Sequence, residues 1–168
     1  MKPLLLIDVD GVLNPFRRPD PGYRRYQCEI GDQVYTVHLN PRHGARLLEL
    51  AIATGAELAW ATTWEHHANE WISPRLGLPE LPVVPMGPVL GSAAGEMFKT
   101  PHVAEWVERR PFVWFDDQVR WEDEQYLREH RGLDDFLLVP VDPRDGLTSA
   151  HLDMARRWLT LSGFSQGP

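Results

Sequence analysis

The first run of the chain, Leu4-Leu5-Leu6-Ile7, is apolar throughout and stops abruptly at Asp8-Val9-Asp10-Gly11. An unbroken apolar run of this length reads as a strand buried on both faces, which is the habit of a parallel sheet. Alternation along an extended chain puts Asp8 and Asp10 on one side and Val9 on the other. Gly11 then gives the backbone a turn that a residue with a Cβ would resist. Two carboxylates side by side at a strand end repel each other unless a cation sits between them or one holds a proton. A hard divalent ion such as Mg²⁺ prefers such oxygen ligands. The plainer alternative is a strand followed by a solvated Asx-type turn.

The rest of the chain repeats the strand-then-helix alternation. Two runs rich in Tyr, Val, Ile and Thr, residues 23–30 and 33–39, flank Gly31-Asp32 and read as a β-hairpin. Asn40 and Pro41 open a helix with Leu47, Leu48, Leu50, Ala51 and Ile52 on its apolar face. Residues 57–61 form the second strand, and a short helix over about 65–72 follows. Prolines at 79, 82, 85 and 88 leave room only for a short edge strand at Val83-Val84. Residues 87–95 are a small-residue loop. Thr100-Pro101 signals a helix with Val103, Trp106 and Val107 at helical spacing. A fourth strand, 112–115, ends in Asp116-Asp117, and a thin helix over about 119–130 leads to the last strand, 136–139. Thr148 caps a final helix that shares Leu152, Ala155 and Leu159 on one face.

This order implies an α/β fold, a doubly wound three-layer parallel sheet of order 3-2-1-4-5 counting the sheet strands alone. The hairpin, at about 15–39, projects after the first strand, and no stretch is long enough for a large cap. We expect one domain over 1–162 and a frayed tail over 163–168. Ligands of such sheets bind beyond the carboxyl ends of the strands. Three of those ends carry polar pairs: Asp8 with Asp10, Thr62 with Thr63, and Asp116 with Asp117. Their convergence on one rim is the expectation on which a functional site rests, with the carboxyls of Asp8 and Asp116 within about 8 Å if they share an ion.

Charge narrows the partners. The chain of 168 residues has a formal net charge of −7, which disfavours broad duplex DNA binding. Residues 14–46 run the other way, with six arginines against three acidic groups. A basic patch just after the paired aspartates suits an anionic substrate. No apolar run approaches the length of a membrane span, the chain enters its first strand without a signal peptide, and Cys28 is the one cysteine. A cytoplasmic location is therefore expected.

With these residues in place, the chain resembles the haloacid dehalogenase-like (HAD) superfamily of phosphohydrolases. Asp8-Val9-Asp10-Gly11-Val12 is similar to its first motif, Thr62 to its second, Lys99 to its third and Asp116-Asp117 to its paired acidic motif. Trp60-Ala-Thr-Thr-Trp64 and Trp114-Phe-Asp-Asp117 are similar to a HAD subgroup associated with RNA-repair-type proteins. The resemblance implies that Asp8 is the nucleophile, forming an aspartyl-phosphate, and Asp10 the general acid and base. It implies Mg²⁺ held by Asp8, the backbone carbonyl of Asp10, Asp116 and, directly or through water, Asp117. Thr62 would donate to a phosphoryl oxygen and Lys99 would balance charge. Thr63 is the alternative to Thr62. Gly11, Thr63, Trp64, Arg17 and Arg18 are the candidate substrate contacts. His66-His67 are adjacent on a helix and so do not face one another, which argues against a soft-metal site.

The expected activity is a Mg²⁺-dependent phosphomonoesterase acting on a nucleotide or nucleic-acid-end phosphate. The alternatives are a small-metabolite phosphatase of the same chemistry and a non-catalytic phosphate- or partner-binding module. Oligomeric state is not legible from the sequence.

Overall fold

A computed structural model describes residues 1–88, 95–130 and 132–163. Most of the small-residue loop at 87–95 and all but Gly163 of the expected tail lie outside the described residues.

The elements run β1 (Leu4–Ile7), β2 (Arg24–Ile30), β3 (Gln33–Leu39), α1 (Arg42–Thr54), β4 (Glu57–Trp60), a π-helical turn (Ala68–Ile72), α2 (Ser73–Leu76), α3 (Lys99–Val107), β5 (Phe112–Asp116), α4 (Trp121–Gln125), a second π-helical turn (Tyr126–His130), β6 (Phe136–Pro140) and α5 (Ser149–Leu161). Four strands make a parallel sheet of order β4-β1-β5-β6, and β2 and β3 pair antiparallel as a separate ribbon. The strand expected at Val83-Val84 shrinks to one parallel bridge between Val83 and Trp60. Pro82 and Pro85 on either side cannot donate to a ladder, so the pairing cannot spread.

Alternation within the buried strands builds two cores. Leu5, Ile7, Leu58, Trp60, Val113, Phe115 and Val139 face one side, with α1 and α5 residues Leu47, Leu50, Leu152, Ala155 and Leu159. Leu4, Leu6, Ala59, Phe112 and Trp114 face the other, with Val103, Ala104 and Val107 of α3 and Leu127. All four residues of β1 and all five of β5 are buried, so the strands that carry Asp8 and Asp116 are firmly anchored. Each such apolar side chain contributes about 1.5–3 kcal/mol.

The hairpin is docked, not free. Cys28, Val37 and Leu39 join the α1-side core together with Trp64, Ala68, Ile72 and Leu76. Arg75 lies over the rings of Tyr26 and Trp71, at 5.3 and 5.1 Å, and donates to the carbonyl of Trp71. Below it, α2 presses on α1 at Gly44, where an added Cβ would stand 1.8 Å from the carbonyl oxygen of Leu76. That approach explains a glycine inside a helix, where it is otherwise unfavourable.

At the start of α1, Asn40 Oδ1 accepts from the Arg42 N–H at 3.1 Å, as its capping role requires. One turn in, His43 is buried with its ring edge-on to Tyr23 at 5.8 Å. Burial, helped by the Arg46 charge and opposed by Asp20, lowers the His43 pKa to about 4 from an ordinary 6.5. The unfolded chain then takes up a proton that the folded chain refuses. Stability is full above pH 6.5 and falls as pH drops towards 4, by about 3 kcal/mol from this group. A His43→Met variant should flatten that slope when urea midpoints are compared at pH 7 and pH 4.5. An unchanged slope would assign the acid sensitivity elsewhere.

Candidate active site

The parallel register brings three strand ends together. Ile7 lies opposite both Trp60 and Phe115. One residue further, the Ala61 N–H donates to the Ile7 carbonyl at 2.9 Å and the Asp8 N–H to the Phe115 carbonyl at 3.1 Å. Asp8 therefore leaves the sheet between Ala61, which Thr62 follows, and Asp116. The expected convergence is present: ligand oxygens of Asp8, Asp116 and Asp117 all lie within 4.8 Å of one another.

Lys99 sits in the middle of this group. Its Nζ donates to Asp8 Oδ2 at 2.6 Å and to Asp116 Oδ2 at 2.8 Å, and all three residues are buried. The free oxygens are held too: Asp8 Oδ1 accepts from the Val9 N–H and Asp116 Oδ1 from the Gln118 N–H, each at 2.8 Å. Burial raises the pKa of Asp8 to about 7 even though Lys99 pulls it down. Burial likewise raises Asp116, against the pull of Lys99, and raises Asp117, which also feels the Asp8 charge. Burial works against the charge on Lys99, yet the two carboxylates hold its pKa above the ordinary lysine value. Three crowded carboxylates facing one ammonium suit a divalent cation, which would offset the charge that the single lysine leaves unbalanced.

Lys99 opens α3, which begins two residues before the start expected from a Thr100 cap and a first-turn Pro101, with Phe98 at the cap position. Thr100 is not the cap because its hydroxyl is engaged elsewhere, donating to Asp123 Oδ1 at 2.6 Å. Asp123 is fully buried. It also accepts from the Met97 N–H at 2.7 Å and, through Oδ2, from the Arg120 N–H at 2.9 Å. This carboxylate ties the first turn of α4 to the chain that delivers Lys99. Sequence reasoning passed over it because Glu122-Asp123-Glu124 looks like a solvated acidic run.

Gly11 has φ +77°, and a Cβ there would stand 2.5 Å from Cγ of Asp117. Glycine is thus required twice, by conformation and by the carboxylate packed against it. Gly11→Ala should displace Asp117 and weaken binding of a divalent cation by about 10–100-fold, measured by calorimetric titration. Unaltered affinity would show that Asp117 does not depend on this contact.

Asp10 departs from the side-by-side arrangement expected of it. β1 ends at Ile7, so strict alternation does not carry through the turn that follows. The Asp10 carboxylate instead accepts from Trp64 Nε1 and from Asn14 Nδ2, each at 2.8 Å. Asp8 and Asp10 are therefore held by different partners, one facing Lys99 and one facing Trp64. Asn14 was not anticipated. Its amide serves two masters, since its Oδ1 accepts from the His38 N–H of β3 at 2.8 Å.

Thr62 is fully buried beside Asp8, and its Oγ1 accepts from the Trp64 N–H at 3.3 Å. Thr63 is exposed and, with Trp64, lines a cleft beside Asp10. Arg17 and Arg18 are exposed. Arg18 donates to His38 Nε2 at 2.7 Å, and neither arginine lines that cleft. His67 pairs with Glu70 at 3.1 Å, apart from the aspartate cluster.

Residues 4–152 match the family model described as the HAD domain in Swiss Army Knife RNA repair proteins. The chain belongs to this family. It is a HAD-type phosphohydrolase, and the aspartate cluster with Lys99 at its centre is its candidate metal-binding active site. Among solved structures, a protein described as a HAD superfamily (subfamily III A) hydrolase from Legionella pneumophila is similar to this HAD domain. Identity is 15% and the TM-score 0.45, over 98% of this chain and 87% of that one. Comparison with curated proteins finds no match. No helix among the described residues is long and apolar enough to cross a membrane.

Proposed function

We propose that this HAD domain, a single unit over residues 1–162, is a Mg²⁺-dependent phosphomonoesterase acting through an aspartyl-phosphate, with a nucleotide or nucleic-acid-end phosphate as substrate. The observation that carries the reading is the division of labour between the two aspartates of the first motif. Asp8 lies under Lys99 beside Asp116, while Asp10 stands apart on Trp64 and Asn14.

In this reading an Asp8 oxygen attacks phosphorus, and the bond from phosphorus to the leaving oxygen breaks as Asp10 gives that oxygen a proton. Water then attacks the aspartyl-phosphate, losing a proton to Asp10, and the Asp8–phosphorus bond breaks to release phosphate. The N–H groups of Trp64 and Asn14 fix the Asp10 carboxylate while each oxygen keeps a second lone pair for the proton. Lys99 holds Asp8 in place and counters phosphoryl charge. Thr62 turns its hydroxyl hydrogen, which its bond from Trp64 leaves free, to a phosphoryl oxygen. Asp8, Asp116, Asp117 and the backbone carbonyl of Asp10 would hold Mg²⁺, which supplies charge neutralisation between carboxylate and phosphate when bound. The arginine-rich segment, Arg17 and Arg18 included, steers an anionic substrate to the rim. A cytoplasmic setting belongs to the same reading, as Cys28 is a buried free thiol.

The test is phosphate release from a panel of phosphate esters with Mg²⁺, repeated with excess chelator. Turnover that chelator removes and Mg²⁺ restores is the expected result. No release from any ester with any divalent metal would leave a non-catalytic phosphate-binding module in its place.

A further inference from the structure

Beside Asp10, between the hairpin and the segment after β4, lies a cleft of about 340 Å³. We infer that this cleft receives the organic half of the substrate and selects a leaving group that is flat, ring-bearing and uncharged, of the size of one nucleoside. The inference rests on the phosphomonoesterase reading and narrows its substrate to a mononucleotide, since the leaving group of a nucleic-acid end carries phosphates of its own.

Three observations converge. The first is position. Asp10 is part of the cleft wall, and the group that hands a proton to the leaving oxygen must sit where that oxygen departs. Whatever the oxygen is attached to lies on the cleft side of Asp10.

The second is shape. Tyr35 of β3 and Trp64 meet with ring centroids 5.7 Å apart and planes inclined at 62°. They form an angled wall, with Ile30 and Val37 completing its apolar part. Trp64 is only 8% exposed and its indole N–H is spent on Asp10, whereas Tyr35 is 42% exposed. Tyr35 is therefore the open platform, and its hydroxyl is steadied by a hydrogen bond to Gln33. A flat ring laid on that face gains stacking, which a polyol of the same volume cannot match. The volume is at the small end for ligand pockets and leaves no room for a second nucleoside.

The third is charge. Among the described residues, the lining includes no lysine or arginine. Asp10 is the one carboxylate there, and His67 stands at the edge already paired with Glu70. A leaving group carrying its own phosphate would meet a carboxylate and no cation, so bisphosphorylated sugars and nucleoside polyphosphates are disfavoured.

The experiment compares kcat/KM of the Mg²⁺-loaded full chain for a nucleoside monophosphate, glycerol phosphate and a sugar bisphosphate. The wild type should prefer the nucleoside monophosphate over each of the others by at least about tenfold. Tyr35→Ala should shrink that preference several-fold, chiefly through KM, while Tyr35→Phe retains it. Equal turnover of all three esters, or a Tyr35→Ala loss that is the same for each, would overturn the inference and leave the phosphatase reading intact. Absence of turnover on every ester would overturn both.

Discussion

In the proposed mechanism Asp8→Asn lowers phosphate release by about 10⁴-fold or more, because it replaces the attacking carboxylate with an amide, a far weaker nucleophile. The fold should survive the change. Lys99 keeps its 2.8 Å bond to Asp116, and the amide oxygen can accept from the Val9 N–H or from Lys99, one of the two and not both. The measurement is single-turnover phosphate release with near-ultraviolet circular dichroism as the control for packing. A variant that is folded and retains a tenth of the activity would rule out Asp8 as nucleophile. The control matters because a misfolded variant would lose activity for a trivial reason.

The second large effect is on stability as well as rate. Lys99→Met leaves the buried carboxylates of Asp8 and Asp116 without the ammonium that lies 2.6 and 2.8 Å from them. Breaking a buried pair from one side costs about 3–5 kcal/mol, since the remaining charge stays desolvated. Added Mg²⁺ should recover part of this, so the Tm rise on adding Mg²⁺ is larger in the variant than in wild type. Activity stays low even when Tm recovers, because the ion does not replace a donor aimed at Asp8. A variant as stable as wild type without metal would mean that the three side chains are not mutually dependent.

Local signals revealed the frame of this molecule. Buried strands announce themselves by unbroken apolar runs, and Leu4–Ile7 and Phe112–Phe115 did so. Asn40, Gly31-Asp32 and Thr148 marked boundaries through short-range hydrogen bonding and turn chemistry, which sequence carries directly. Asp8, Lys99, Asp116 and Asp117 were readable because each stands at the end or the start of such an element. What escaped depends on distant pairing. Asp123 is held in place by Met97, just before α3, and by Thr100 in its first turn. Asn14 links Asp10 to β3 only because the ribbon folds back over it. The directions of Asp8 and Asp10 diverge because the chain turns after Ile7, whereas alternation assumes an extended backbone through Asp10. The starting residue of α3 shifts because a tertiary bond claims the Thr100 hydroxyl that would otherwise cap it.

One amide, that of Asn14, grips the backbone of β3 with its oxygen and the carboxylate of Asp10 with its nitrogen. The ribbon and the Asp10 carboxylate are thereby tied to one side chain. Lifting β3 by more than a hydrogen-bond length would slacken the acid at the same moment as it widened the entrance. Under the proposed mechanism, a ribbon lifted off Asn14 would leave Asp10 less firmly held, so widening of the cleft and alignment of the acid would oppose each other.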